Sequence, residues 1–369
     1  MTRTRVAIIG GGLAGLYAAR LLHVAGVDFQ LLEASGRLGG RILSTDEAGA
    51  PSRDGFDLGA SWFWPRVQHD LTALIEELGL GSFPQNIEGD VVFERMSRET
   101  PQRYRPLERE PQSMRLVGGA ASLLNALVQG LPEENLRLRE QVVRLTLGER
   151  GVEVTIQTSD GAVRTVSVEQ VIAALPPRLL EAMISFSPAC DAATAQRWRA
   201  TNTWMAPHAK FFAFYDQPFW RNDGLSGTAQ SFVGPMGEVH DATTASGYAA
   251  LLGFLSVDAD GRAALGEAAL TQACTAQLVR LFGPEAGQPR RTLIKDWATD
   301  RLTATELDRS PGAHPTAVGG LWVGDRWAER LSLAGSETST FEPGFMAGAI
   351  EAAKAAATAA LTRLGGSLA

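Results

Sequence analysis

The chain has 369 residues, a length typical of two domains, and 45% hydrophobic and 20% charged residues predict a folded protein with sizeable cores. The formal net charge of -7 argues against nucleic acid or an anionic membrane surface as the main partner. No run of 18 apolar residues occurs, so the sequence predicts no membrane span. Two cysteines, Cys190 and Cys274, exclude a disulfide scaffold, and we expect a cytoplasmic protein.

The choice of basic residues is uneven. Of the 34 lysines and arginines, three are lysines, Lys210, Lys295 and Lys354, and alanine is abundant. We interpret this as the codon bias of a GC-rich, bacterial genome, in which a lysine rarely reaches a functional position by chance. The 5 histidines show no spacing typical of metal ligands, so no metal site is predicted.

The N-terminal residues predict a strand–helix–strand unit. Residues 6–9 are an apolar run typical of a buried strand, and residues 13–25 carry apolar side chains at helical spacing. Residues 28–32 predict a second strand, which ends in Glu33. A unit of this kind, about 30 residues long, is the building block of a parallel sheet.

The rest of the chain alternates helical and strand-like patterns. Helices are predicted over residues 71–78, 121–128, 265–282 and 344–364. Strands are predicted over residues 136–147, 152–158, 170–175, 210–215 and 249–257, with a turn at residues 159–161. Residues 81–112 are rich in proline and arginine and predict an irregular loop or cap.

The strongest local signal is the glycine-rich segment of residues 10–15, which matches G-x-G-x-x-G between a predicted strand and a predicted helix. In that context Gly10 makes the tight turn, Gly12 lets the backbone approach a pyrophosphate, and Gly15 lets the helix pack closely on the strand. Glu33, at the end of the next strand, would accept hydrogen bonds from the ribose hydroxyls. That acid disfavours the 2′-phosphate of NADP, and the motif leaves NAD and FAD open.

The residues around and after Glu33 separate these two cofactors. Residues 32–42 read L-E-A-S-G-R-L-G-G-R-I, which resembles the E-A-x-x-R-x-G-G-R segment of the FAD-dependent amine oxidases, the family of the monoamine and polyamine oxidases. Residues 57–62 are similar to the family's D-L-G-G-x-x segment beside the flavin, with Ala60 where a glycine is usual. Residues 116–119 and 171–176 also match family segments.

The resemblance extends to the reacting end of the flavin. Residues 210–220 look like the family's strand whose lysine holds a water at flavin N5, which implies that role for Lys210. Trp297 resembles the tryptophan that lines the flavin. His208 shares the predicted strand face with Lys210, which would let it reach the pocket, although we favour its interpretation as an ordinary histidine at a strand end. Trp62 and Trp64 fit the wall of a substrate cavity and a protein core equally well.

The C-terminal part of the chain resembles the family's A-G-x-E-T…G-Y-x-x-G-A signature over residues 330–350. There the backbone N–H groups of Gly335 and Ser336 would bind phosphate, and the following helix would point its positive end at the flavin pyrimidine. A competing placement uses residues 321–325 as the cofactor strand. We prefer residues 331–337, because their spacing to the following helix needs no gap.

The resemblance implies an α/β fold, with a Rossmann-like, doubly wound FAD-binding domain and a second substrate domain on a mixed or antiparallel sheet. It predicts a discontinuous FAD-binding domain over residues 1–80, 112–200 and 290–369, and a substrate domain over residues 81–111 and 201–289. It also implies that an amine is oxidised by hydride transfer to flavin N5 and that oxygen is the acceptor, giving hydrogen peroxide. Lys210 is the implied catalytic residue, and the implied cofactor contacts are Gly10, Gly12, Leu13, Ala14, Gly15, Glu33, Ala34, Arg37, Gly40, Arg41, Gly59, Ala60, Ser61, Trp62, Val142, Trp297, Gly335, Ser336, Phe345, Met346 and Ala349.

The sequence departs from the family in two places. Some members attach FAD through a cysteine, and the matching position here is Glu306, so we expect non-covalent FAD. The tyrosine pair that flanks the amine in monoamine oxidases is missing, with Leu307 near one position and Phe345 at the other. These departures leave two alternatives open. One is a desaturase-like or renalase-like flavoenzyme that acts on a non-amine substrate. The other is a non-catalytic FAD-binding protein, and the intact Lys210 argues against that second alternative.

Overall fold

The computed structural model of the chain describes residues 4–105, 112–310, 312–317 and 322–367. Its strands, in chain order, are β1 (Val6–Ile9), β2 (Phe29–Glu33), β3 (Ser44–Thr45), β4 (Phe56–Asp57), β5 (Ser82–Pro84), β6 (Asp90–Glu94), β7 (Gln102–Tyr104), β8 (Met114–Leu116), β9 (Leu136–Leu138), β10 (Glu140–Leu147), β11 (Val152–Thr158), β12 (Val163–Val168), β13 (Gln170–Ala173), β14 (Ser185–Ser187), β15 (Ala209–Tyr215), β16 (Leu225–Ser231), β17 (Met236–Asp241), β18 (Ala249–Leu255), β19 (Arg291–Asp296) and β20 (Leu331–Leu333). Its α-helices are α1 (Leu13–Val24), α2 (His69–Glu77), α3 (Ala121–Gln129), α4 (Pro177–Met183), α5 (Ala192–Ala200), α6 (Phe219–Asn222), α7 (Ala259–Leu265), α8 (Glu267–Phe282) and α9 (Met346–Arg363).

A parallel five-stranded sheet of order β20–β13–β1–β2–β9 forms one half of the fold. Its central strand β1 is buried throughout, as an unbroken apolar run predicts. On one face Ile8 shares a core with Leu16 of α1 and Ile350 of α9. On the other face Ile9 shares a core with Val154 of a four-stranded sheet, β12–β11–β10–β14. The predicted α/β class with a Rossmann-like sheet is confirmed.

A seven-stranded sheet of order β19–β15–β18–β17–β16–β6–β7 forms the other half. It is mixed, because the pair β16–β6 is parallel and the other neighbours are antiparallel. Side chains of β15 alternate between its faces: Phe211 packs in a core with Leu278 of α8, whereas Phe212 packs in another core with Phe56. Lys210 has the same parity as Phe212, so it lies on the face that carries Phe56.

Two segments differ from the sequence prediction. Residues 81–112, predicted to be irregular, contain β5, β6 and β7, and residues 106–111 lie outside the described part. The parallel partner of β6 is β16, more than a hundred residues away, so local sequence carries little sign of it. Residues 291–296, where no strand is predicted, form β19 and pair with β15, although the predicted division placed residues 290–369 in the FAD-binding half.

Left-handed backbone conformations move several predicted boundaries. The helix predicted over residues 265–282 is α8, which begins at Glu267 because Gly266, with φ 75°, separates it from α7, a helix not predicted from the sequence. Helix α9 begins at Met346, after Gly344 with φ 82°. Arg139, with φ 59°, divides the strand predicted over residues 136–147 into β9 and β10. A residue in this region cannot continue a helix or a regular strand. The predicted turn at residues 159–161 lies between β11 and β12.

Candidate active site and cofactor cavity

A cavity of about 1750 Å³ lies at the carboxyl ends of the parallel strands. Gly10 follows β1, Glu33 ends β2 and Gly335 lies shortly after β20, and all three line the cavity. This edge is where ligands bind in open parallel sheets. The opposite wall is the face of the seven-stranded sheet that carries Lys210 and Phe254. The volume exceeds the roughly 300–1,000 Å³ of a typical ligand pocket, which leaves room for a cofactor and a substrate together.

The glycine-rich turn between β1 and α1 has the shape that a pyrophosphate requires. Gly10 adopts φ 103°, and a Cβ added to Gly12 would meet no described atom closer than Gly39 O, at 3.9 Å. A Cβ at Gly15 would lie 1.9 Å from Gly10 O, so only glycine lets α1 pack this closely on the end of β1. Within the described residues, α1 has no side-chain cap and no acid in its first turn, which leaves its first N–H groups for an anion.

Glu33 fits the ribose position and also fixes the turn. Its Oε2 accepts a hydrogen bond from Gly11 N–H and its Oε1 one from Ser35 N–H, both at 2.7 Å. The residue is 9% exposed and lines the cavity beside Ala34. Each carboxylate oxygen keeps another lone pair, so two acceptors remain for the ribose hydroxyls.

Arg37 and Arg41 line the cavity, but their guanidinium groups are held by the protein. Arg37 donates to three carbonyl oxygens between residues 38 and 42, and burial lowers its pKa. Arg41 forms an ion pair with the buried Glu337 and donates to Ser336 Oγ at 3.1 Å. The contacts of Arg41 join the loop after β2 to the segment after β20, whereas those of Arg37 fix the loop itself, so the two arginines shape the cavity wall.

The C-terminal segment reaches the cavity as the preferred placement predicts. Strand β20 pairs with β13 in the parallel sheet, which favours residues 331–337 over residues 321–325, of which residue 321 lies outside the described part. Phe345, Met346 and Ala349 at the start of α9 line the cavity. No acid lies in the first turn of α9, all of whose residues are described. No carboxylate in that turn therefore offsets the positive end of the helix dipole, which faces the cavity.

Lys210 lies in the cavity wall as a buried amine, with 1% of its surface exposed. Its Nζ donates to Asp57 O at 3.0 Å, to Gly59 O at 2.6 Å and to Ser61 Oγ at 2.9 Å. It also lies 5.7 Å from the ring centroid of Trp62. Burial lowers the pKa of Lys210 to about 7, with the Asp57 carboxylate opposing that shift. The lysine therefore ties β15 to residues 57–61 and changes charge near neutral pH.

The Asp57 carboxylate lies behind this contact and is fully enclosed. Its Oδ1 accepts hydrogen bonds from Ser44 Oγ at 2.6 Å and from Ala120 N–H at 2.8 Å. Burial raises the pKa of Asp57, while the nearby Arg115 guanidinium lowers it. The buried cation Arg115 donates to two carbonyl oxygens, at residues 242 and 243. This network fixes the backbone that carries the acceptors of Lys210.

Two predicted cofactor residues do not line the cavity. Gly15 acts at the contact of α1 with β1, the packing role expected of it. Trp297 is fully buried; its Nε1–H donates to Leu58 O at 2.9 Å, and its ring would lie 3.3 Å from a Cβ added at Gly59. This hydrogen bond draws the indole behind residues 58–59. Trp297 therefore lies behind residues 58–59 in this structure, and its contact with the flavin stays a prediction.

Aromatic side chains form part of the remaining wall of the cavity. Trp64 meets Phe345 edge to face with ring centroids 5.9 Å apart, and Trp62 lies 6.0 Å from Phe254. Trp204 also lines the cavity. These rings make the part of the cavity next to Lys210 largely apolar, which suits the carbon skeleton of a small substrate.

Known proteins match this chain over nearly all its length. The sequence model described as flavin containing amine oxidoreductase matches residues 13–115 and 94–361. The chain belongs to this family. It is 25% identical to a probable flavin-containing monoamine oxidase A of Dictyostelium discoideum, over 94% of this chain and 95% of the relative. It is 24% identical to human flavin-containing amine oxidase B, over 98% of this chain and 86% of the relative.

Solved structures of amine oxidases share the fold. Putrescine oxidase bound to putrescine aligns with a TM-score of 0.77 and 21% identity, over 96% of this chain and 98% of that one. Cyclohexylamine oxidase from Brevibacterium oxydans aligns with a TM-score of 0.79 and 21% identity, over 98% of this chain and 100% of that one. Family membership makes the chain a flavin-dependent oxidoreductase, and the glycine turn, Glu33 and the start of α9 give its cavity the polar groups that a flavin dinucleotide needs.

Three further features describe this family member. Leu307, expected near one position of the missing tyrosine pair, is 56% exposed and does not line the cavity. Among the described helices, none is long and apolar enough to cross a membrane. In the same residues, no group of three or more His, Cys, Asp or Glu is arranged to hold a metal ion.

Sequence patterns missed several residues that the fold brings to the cavity. Trp204, Phe254 and His240 line it. His208 lines it as well, as the strand face that it shares with Lys210 allows, although the favoured interpretation from sequence is an ordinary histidine. His240 and Phe254 lie on neighbouring strands, β17 and β18, so their meeting depends on strand order. The alternation of side chains along each strand was the one available signal, and it gives a face but not its neighbours.

Proposed function

We propose that this chain is an amine oxidase that binds FAD non-covalently and oxidises a small amine, with oxygen as its acceptor. The observation that carries the proposal is the position of Lys210, a buried amine in an aromatic wall that faces the dinucleotide-binding edge of the parallel sheet. A protein that only stored FAD would have no use for this arrangement. The composition and the two free cysteines favour a cytoplasmic setting in a bacterial cell.

The proposed path of FAD follows the polar groups along the cavity. Gly10 and Gly12 would hold the pyrophosphate with the N-terminus of α1, and Glu33 would hold the ribose. Val142, which lines the cavity, fits the adenosine end. The positive end of α9 would face the pyrimidine. We retain the division into an FAD-binding half and a substrate half as a proposal, with β19 assigned to the substrate half because it belongs to that sheet.

Non-covalent binding is supported by where the thiols lie. Cys274 is buried in the core between α8 and the seven-stranded sheet, and Cys190 is half-buried outside the cavity lining. Burial raises the pKa of both thiols to about 12, so neither is a ready nucleophile. Glu306, at the position of the attaching cysteine in some relatives, does not line the cavity either.

The chemistry that FAD supplies when bound is acceptance of a hydride at N5 from the amine-bearing carbon and return of the electrons to oxygen, which yields hydrogen peroxide. The protein supplies orientation and electrostatics. Trp62, Trp64 and Phe345 would exclude water and orient the apolar part of the amine. Lys210, whose N–H donors are taken up by three protein acceptors, would place a positive charge where negative charge develops.

The test is amine-dependent peroxide production by the purified protein in air. We expect at least one amine of a panel containing benzylamine, cyclohexylamine and putrescine to yield one peroxide per amine consumed. Lys210→Met should lower the rate of peroxide production without loss of bound flavin. Lys354→Met, on the exposed side of α9, should leave that rate unchanged. Amine-independent flavin turnover with a dihydronicotinamide would instead favour the renalase-like alternative. The exposed Leu307 and the absent tyrosine pair support that alternative.

A further inference from the structure

A second, small cavity lies behind one wall of the main cavity. Its volume is about 10 Å³, close to the roughly 10–15 Å³ that one water molecule needs. Trp204, Pro207 and His208 line both cavities, so these residues form the partition between them.

Two buried polar atoms belong to residues of this small cavity and have no hydrogen-bond partner among the described residues. They are His208 Nδ1 and Thr203 Oγ1. Buried polar atoms are nearly always hydrogen-bonded, to protein or to ordered water. The ion pair of Arg178 and Asp308 also lines the small cavity, which makes its walls polar. Size, polarity and the two unsatisfied atoms together fit one buried water.

The other side of the His208 ring meets the main cavity. His208 lines both cavities and its Nδ1 is buried, from which we infer that the Nε2 side of the ring faces the main cavity. The ring packs edge to face on Trp204, with centroids 5.1 Å apart, which fixes its plane. Burial lowers the pKa of His208, and the cations Arg262 and Lys210 lower it further, so the imidazole is neutral at neutral pH.

We propose that His208 is a substrate-positioning residue. One buried water joins its Nδ1 to Thr203 Oγ1, and its Nε2 accepts a hydrogen bond from the amino group of the substrate. The substrate part of this inference rests on the proposed function, whereas the water link does not. A proton on Nδ1, donated to the water, leaves a lone pair on Nε2, which is the group that an amine N–H requires. No covalent bond changes; the hydrogen bond orients the amine.

The state of the ring can be measured directly, since the chain has 5 histidines. Long-range ¹H–¹⁵N spectra of flavin-loaded protein labelled with ¹⁵N-histidine, assigned against His208→Gln, report which ring nitrogen carries the proton. We expect a neutral ring with the proton on Nδ1 at pH 7.5. Thr203→Val should shift the tautomer ratio at least about twofold, and Thr203→Ser should restore it. A proton on Nε2, a cationic ring, or a ratio that Thr203→Val leaves unchanged would overturn the water link.

The role in binding is tested by anaerobic stopped-flow reduction with benzylamine, cyclohexylamine and putrescine. His208→Leu should raise the apparent dissociation constant of the amine about tenfold, which corresponds to about 1.4 kcal/mol. The limiting rate of flavin reduction should change less than about threefold, and His208→Asn, which keeps an acceptor, should recover part of the affinity. A merely structural role would not produce this separation of affinity from rate, nor the recovery with asparagine.

The two proposals fail in different ways. If the amines reduce the wild-type flavin and His208→Leu leaves the dissociation constant within about twofold, the positioning role is wrong and the proposed function stands. If none of the amines reduces the wild-type flavin, the proposed function and the substrate part of the inference both fall. The spectra then decide the water link alone.

Discussion

Replacing Lys210 with methionine removes the buried amine from the cavity wall and keeps most of the side-chain volume. The change deletes contacts to Asp57 O, Gly59 O and Ser61 Oγ, at 3.0, 2.6 and 2.9 Å. None of these atoms belongs to the glycine turn or to Glu33. We therefore expect Lys210→Met to fold and to bind FAD, with its effect confined to the chemistry of the reduced enzyme.

The size of that effect depends on pH, because burial lowers the pKa of Lys210 to about 7. Below that pH the amine is a cation, and loss of one preorganised group that stabilises a developing negative charge costs roughly 10²–10³ in rate. We expect reoxidation by oxygen to be about 100-fold slower in Lys210→Met at pH 6, which is about 2.7 kcal/mol of barrier. At pH 9 about 1% of Lys210 is protonated, so the reoxidation rates of wild type and Lys210→Met should differ by about twofold.

Stopped-flow absorbance of both half-reactions at pH 6 and pH 9 measures this directly. The matched control is Lys295→Met: Lys295 lies over Trp297, 4.3 Å from its ring centroid, and is not among the residues that line the cavity. The control should reoxidise within about twofold of wild type at both pH values. A reoxidation rate that Lys210→Met leaves unchanged at pH 6, or lowers equally at both pH values, would refute the reasoning.

Three further predictions concern the cofactor and the glycine turn that would hold it. Glu33→Ala should lower FAD affinity at least tenfold in an equilibrium titration, since each charge-assisted hydrogen bond contributes about 1.5–3 kcal/mol. Asp160→Ala, in an exposed turn, should leave the affinity unchanged. Equal affinities of the two variants would contradict the ribose assignment. Acid precipitation should release all yellow colour into the supernatant, and a yellow pellet would show covalent attachment. Gly15→Ala should destabilise the FAD-free protein to urea by about 1–3 kcal/mol or more, because the new Cβ would lie 1.9 Å from Gly10 O. Gly130→Ala, whose Cβ would have 3.6 Å of clearance, should stay within about 0.5 kcal/mol of wild type, and equal losses in both variants would show that the close packing is not the cause.

The dinucleotide half of the molecule could be predicted from sequence because its signals are local. The turn at Gly10, the start of α1 and the acid at Glu33 lie within a single strand–helix–strand unit, and the chain order of that unit fixes their geometry. The structure places Gly10 and Glu33 on one cavity, as expected. Their contact with FAD stays a prediction.

The substrate half could be predicted less well because its signals are distant in the chain. The acceptors of Lys210 lie about 150 residues before it, and β6 finds its parallel partner in β16. The backbone break at Gly266, which ends α7, has a glycine as its one local sign. The small cavity behind His208 is lined by Thr203 and lies between segments that are distant in the chain, and a periodic sequence pattern gives no sign of such a cavity.

The central claim is that this cavity brings an amine to a bound flavin, and an anaerobic absorbance titration of the purified protein tests it most directly. The account predicts a yellow protein with a flavin spectrum that benzylamine, cyclohexylamine or putrescine bleaches, and that air restores. A flavin that dithionite reduces but that none of these amines bleaches would contradict the claim.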